Sequence, residues 1–84
     1  MNAPANKIFP TRLSDSQYEE CMGIALHYLK SNPIIRNRDI REVASIGYDQ
    51  AIRFFNRAIA QKRLIRKGNG SGTRHVLPAT HEVL

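Results

Sequence analysis

The segment Arg63 to Leu77, RLIRKGNGSGTRHVL, sets three glycines and a serine between two short basic runs. Glycine-rich loops cradle phosphates when they join a strand to the N-terminus of a helix, whose free amides and dipole hold the anion. Here the residues after the loop include β-branched Thr73 and Val76 and are followed by Pro78, so no helix is expected to begin there and a nucleotide cradle is not expected. A flexible linker fits the composition. The flanking runs pair well as strands, however, and glycines permit positive backbone angles, so a basic hairpin tip is the better account.

Other groups offer little chemistry. His27, His75 and His81 have no cysteine or carboxylate at metal-ligand spacing, and Cys21 stands alone in an apolar helical pattern that suits a small core residue. No paired carboxylates, nucleophile elbow or triad-like grouping stands out, so neither an enzyme nor a metal or cofactor site is expected. Charge is the informative property: 13 Lys and Arg stand against 7 Asp and Glu, a formal +6. On so small a surface this favours a polyanionic partner. Between Asp49 and Glu82 there is no acidic residue, while Arg53, Arg57, Lys62, Arg63, Arg66, Lys67 and Arg74 all fall in that interval. The plain alternative is a solvated helix face beside a charged edge strand that discourages aggregation.

The elements that must position these charges follow from patterning. With 84 residues, 42% hydrophobic and 24% charged, the chain is expected to fold as one small domain. It has no run of 18 apolar residues and no signal-like stretch in MNAPANKIFPTRLS, so a soluble, cytoplasmic protein without membrane contact is expected. Residues 1–13 read as an N-terminal arm, 14–77 as the domain and 78–84 as a C-terminal tail. A first helix starts at Ser14 or Ser16, either of which can cap, carries Tyr18, Met22, Ala25 and Leu29 at helical spacing, and stops at Asn32-Pro33. A short second helix is capped by Asn37 and turns Ile40, Val43 and Ala44 inward. Ser45, Ile46 and Gly47 break the chain, with Ile46 as a plug. A third helix runs from Tyr48 or Asp49 to about Lys62. At about 100° per residue, Tyr48, Ala51, Ile52, Phe55, Ala58 and Ile59 share its inner sector. Phe54 falls outside that sector, either covering a neighbouring helix or lying on a contact surface. Strands are expected at Leu64 to Lys67 and Thr73 to Leu77.

Helix, short helix, helix and hairpin in that order is the layout of a winged helix-turn-helix domain. The run NRDIREVASIGYDQAIRFFNRAIAQKRLIRKGNGSGTRHVL also resembles the core of the small winged modules of bacterial and archaeal regulators and of the ends of some multidomain enzymes. The resemblance spans Tyr18 to Leu77. It rests on Asn37-Arg38-Asp39-Ile40 opening the second helix, Ile46 in the turn, the long third helix, Leu64-Ile65 and the Gly70-Ser71-Gly72-Thr73 tip ahead of Leu77. It departs at Arg63, where many members have glycine, and at Gly47-Tyr48-Asp49, where many open the third helix with serine or threonine.

The fold class implied is mainly α with a small β-hairpin: three helices plus a two- or three-stranded wing. The implied partner is double-stranded DNA, bound by a sequence-specific transcription regulator acting as a homodimer. Gln50, Arg53, Asn56 and Arg57 of the third helix would then face base edges or flanking phosphates in the major groove. Arg66, Lys67, Asn69, Ser71, Thr73 and Arg74 of the wing, with Arg36 and Arg38 at the second helix, would hold the backbone or a neighbouring minor groove. The dimer surface would use the arm, Ile24 and Leu26, or the tail at Val83 and Leu84. Two other functions remain open: a DNA-binding adaptor in replication or recombination with limited sequence preference, and a module that binds an acidic protein partner.

Overall fold

The structure, a computed structural model, describes residues 13–78. Apart from Leu13 and Pro78, the expected arm and tail lie outside the described residues. The chain forms α1 (Asp15–Tyr28), α2 (Asn37–Ala44) and α3 (Tyr48–Ala60), then an antiparallel hairpin of β1 (Ile65–Lys67) and β2 (Arg74–Val76). Three helices followed by a two-stranded hairpin match the winged helix layout, and Ile35 adds a single antiparallel bridge to His75. Both amides of that bridge donate at 2.9 Å, so the connector before α2 lies against β2 as a rudimentary third strand.

Local chemistry sets the helix ends. The Ser14 hydroxyl accepts from the Gln17 amide at 3.1 Å and the Gln17 side chain accepts from the Ser14 amide at 2.9 Å, a reciprocal cap that selects Ser14 over Ser16. At the far end the Asn32 side-chain amide donates to the Tyr28 carbonyl at 3.0 Å. The cap of α2 differs from expectation: Arg36 is the capping position, its amide donating to the Asp39 carboxylate at 2.8 Å. Asn37 is the first helical residue instead, and its side-chain oxygen accepts from Arg41 Nε at 2.6 Å. Ser45 closes α2 in the left-handed region at φ 55°, which turns the chain at once into α3 with Ile46 packed against the core.

The core is a single cluster in which Tyr18, Met22, Ala25, Ile35, Ile40, Ala51, Phe54, Ala58 and Leu64 are almost fully buried. Here the expected inner face of α3 needs correction. Phe54 is fully buried, with its ring 5.5 Å from that of Tyr18 and 5.1 Å from that of Phe55. Tyr48 is 59% exposed and Ile52 37% exposed. The helix is rotated by roughly 50° from the expected orientation on a wheel of 100° per residue, because α1 presents Tyr18 to the Phe54 side. Val43 of α2, expected inward, is also exposed.

The exit from α3 is a tight left-handed turn. Lys62 adopts φ 61°, its amide donates to Ile59 and the Arg63 amide donates to Ala58, both at 2.9 Å. This is the paired bonding that usually places glycine where Lys62 stands. It reverses the chain into β1, and the hairpin tip then closes with a 3₁₀ turn at Gly70–Gly72. Gly68 has φ 73°, and a Cβ there would collide with the Gly72 carbonyl oxygen and lie 2.7 Å from Arg74 Nη1, so the tip requires glycine.

Candidate nucleic-acid interface

The N-terminal end of α2, one side of α3 and the hairpin enclose an open groove of about 770 Å³. Arg36, Arg38 and Arg41 reach it from α2 and its capping residue, and Arg66 from β1. Asn37, Asn56, Ser71 and Thr73 add amide and hydroxyl groups, and none of the lining residues is acidic. Its apolar part comes from Tyr48, Ile52, Phe55 and Ile59. Beside it, Asp49, Ile52, Arg53 and Asn56 bound a shallower depression of about 340 Å³ on the outer face of α3.

His75 also lines the groove, although it is only 5% exposed. Its ring lies parallel to that of Phe55 at 3.7 Å, and its Nδ1 stands 3.3 Å from the Ile35 carbonyl oxygen. Burial lowers the imidazole below its ordinary value; the hydrogen bond to Ile35 opposes that, and Arg66, its partner across the hairpin, adds to it. The fold uses His75 as a structural ring, buried and stacked on Phe55.

Several expected contact residues come together in the groove: Arg36, Arg38, Asn56, Arg66, Ser71 and Thr73. Arg53 is exposed and bounds the adjoining depression. Lys67 and Asn69 are exposed on the hairpin, outside the groove lining. The Arg74 guanidinium donates to the Gly72 carbonyl at 3.0 Å, bracing the tip. Gln50 is drawn back to the start of its own helix, where its side-chain oxygen accepts from the Gly47 amide at 3.0 Å.

Arg57 departs most from the expected set of base readers. Its guanidinium is 3.0 Å from the Asp15 carboxylate and lies 4.1 Å from the centre of the Tyr18 ring, which draws it toward α1. Arg63 does the same with Glu19 at 2.9 Å and Tyr18 at 5.6 Å. Two of the seven cations without a nearby acid in sequence are therefore compensated by α1. Burial raises the Tyr18 phenol, against the pull of both arginines, and its hydroxyl donates to the Gln61 side chain at 2.9 Å.

Asn37, Arg41 and Tyr48 line the groove without being among the contact residues expected from the sequence. Arg41 sits one turn after Asn37, which holds it, and its guanidinium is 5.6 Å from the Tyr48 ring centre. That four-residue spacing from Asn37 was a usable signal. Tyr48 falls in the inner sector expected from helical spacing, yet it is exposed. Among the described residues no helix is long and apolar enough to cross a membrane. The chain matches no family model, no curated protein and no solved structure.

Proposed function

We propose that this chain is a winged helix-turn-helix protein that binds double-stranded DNA as a small transcription regulator. The observation that carries this reading is the groove whose rim holds Arg36, Arg38, Arg41 and Arg66 and whose lining has no carboxylate. Guanidinium groups drawn from two elements onto one concavity suit phosphate oxygens, which they engage in bidentate fashion. Beside them the outer face of α3 offers Arg53 and Asn56 to the major groove. Arginine pairs with guanine and asparagine with adenine, and each good pair contributes about 1–3 kcal/mol of discrimination. Ser71 of the hairpin adds a hydroxyl contact to the same strand, whereas the Thr73 hydroxyl donates to the Gly70 carbonyl at 2.9 Å. A module this small gains affinity by pairing half-sites, and the exposed Leu26 of α1 is available to a symmetric partner.

Salt-titrated fluorescence anisotropy with a random duplex and with a duplex selected from a random pool tests the reading. Binding is expected to weaken linearly in log–log form with salt, and the selected duplex is expected to bind more tightly than the random one. Failure to bind either duplex more tightly than about 10⁻⁴ M at physiological salt would remove the proposal.

A specific observation favours a second reading, a DNA-binding adaptor with limited sequence preference. Gln50 and Arg57, two of the four expected base readers, are engaged with Gly47 and Asp15. Under that reading the affinities for selected and random duplexes converge while the salt dependence persists.

A further inference from the structure

Part of the groove lining does not suit the phosphates that its arginines attract. Tyr48, at the first position of α3, and Ile52, one turn later, are exposed and line the groove, whereas Phe54 and Phe55 of the same helix are buried. The Arg41 guanidinium stands near the Tyr48 ring. A phosphate gains nothing from an apolar wall. A nucleobase does, because it has a flat apolar face, stacks on aromatic rings whatever its identity, and hangs from a phosphate that an adjacent arginine can hold.

Size points the same way. A concavity of about 770 Å³ has room for a nucleotide or two beside a duplex end. We propose that the groove takes unpaired nucleotides extending from a duplex end, with bases on Tyr48 and Ile52 and phosphates on Arg36, Arg38, Arg41 and Arg66. This rests on the nucleic-acid reading above and narrows its substrate class to duplexes with a single-stranded extension. The exposed Tyr48 ring selects this occupant over an acidic peptide, whose carboxylates would satisfy the arginines without giving that ring a stacking partner.

The test compares three labelled probes by anisotropy: a blunt duplex, the same duplex with a three-thymidine extension, and the same duplex with three abasic sites in place of those thymidines. The thymidine extension is expected to bind about tenfold more tightly than either of the others. Tyr48→Ala is expected to bring that ratio close to one, and Tyr48→Phe to retain it. Because Tyr48 lies at the surface, circular dichroism is expected to show a folded Tyr48→Ala protein. Equal affinity for all three probes overturns the proposal. So does equal affinity for the thymidine and abasic extensions, or a ratio that survives Tyr48→Ala. Binding of the extended probe without measurable binding of the blunt one supports the groove assignment and removes the duplex reading. Binding of the blunt duplex with no preference for extension does the reverse, and loss of binding to all three probes removes both.

Discussion

The imidazole of His75 lies flat against the ring of Phe55, with centroids 3.7 Å apart and planes 2° apart. Phe55 also packs edge-on to Phe54, which meets Tyr18, so one line of rings runs from α1 through α3 to the hairpin. The hairpin is thereby fixed to the helical core through a ring that has to stay neutral.

That requirement makes stability depend on pH. Burial lowers the folded-state pKa of His75 below the ordinary imidazole value of about 6.5, so the unfolded chain takes up a proton first. The contribution of His75 is complete above that unfolded value and is lost as pH falls toward the lowered folded value. Melting temperature is expected to drop as pH is taken from 7.5 to 5. His75→Phe keeps a ring against Phe55 and is expected to flatten that part of the profile.

Phe54→Ala is expected to cost about 3–5 kcal/mol, as for other buried aromatic side chains. Against a total of about 5–15 kcal/mol for a folded domain, this leaves a large unfolded fraction. Ile52→Ala, at an exposed position of the same helix, is expected to cost less than about 1 kcal/mol. Urea melts of the two variants check the orientation of α3. Similar losses would return Ile52 to the core.

Lys62→Gly is expected to stabilise the protein. A left-handed backbone costs a residue with a Cβ roughly 1–2 kcal/mol, and part of the gain is offset by the greater freedom of glycine in the unfolded chain. A net gain of about 0.5–1 kcal/mol is expected, equal to several degrees in melting temperature for a domain of this size.

Gly68→Ala acts at the hairpin tip with the opposite sign. Its added Cβ meets the Gly72 carbonyl and the Arg74 guanidinium, and a loss of about 1–3 kcal/mol is expected from strain and clash. Hydrogen exchange is expected to quicken in β1 and β2 more than in α1, since the tip joins those two strands directly.

Substitutions in the groove separate the roles of the cations. Arg38→Ala and Arg66→Ala are each expected to weaken binding to every duplex and to lower the salt slope by about 0.9. Arg53→Ala is expected to reduce the preference for a selected duplex. Arg57→Ala is expected to change neither quantity much, because its guanidinium is held by Asp15 and Tyr18. Salt-titrated anisotropy on the four variants reads all of these outcomes.

Local chemistry was legible in the residues themselves. Ser14 and Ser16 confined the start of α1 to two positions, Asn32-Pro33 set a limit a few residues beyond its end at Tyr28, and the glycines after Lys67 marked the reversal between two strands. These features depend on neighbours within a few positions. The orientation of α3 was less legible, because Tyr48, Ile52 and Phe54 are all apolar and only the position of Tyr18 on α1 decides which ring goes inside. The pairing of Arg57 with α1 was hidden for the same reason. Its backbone position gave no sign of a carboxylate 42 residues earlier in the chain, and a long side chain can lie along an aromatic face to reach one. Arg41 was within reach of pattern reasoning through Asn37, yet its neighbour Arg38 drew the assignment.

The Ile35–His75 bridge joins the chain just before Arg36 to the strand that faces Arg66. Its two amide bonds tie the two sides of the groove together, so a swing of the hairpin would pull on the front of α2 or break them. A ligand entering a groove tied in this way has less backbone motion left to freeze, and more of its contact energy remains as affinity. Loosening this seam is expected to lower the affinity of the proposed ligand even with every arginine in place.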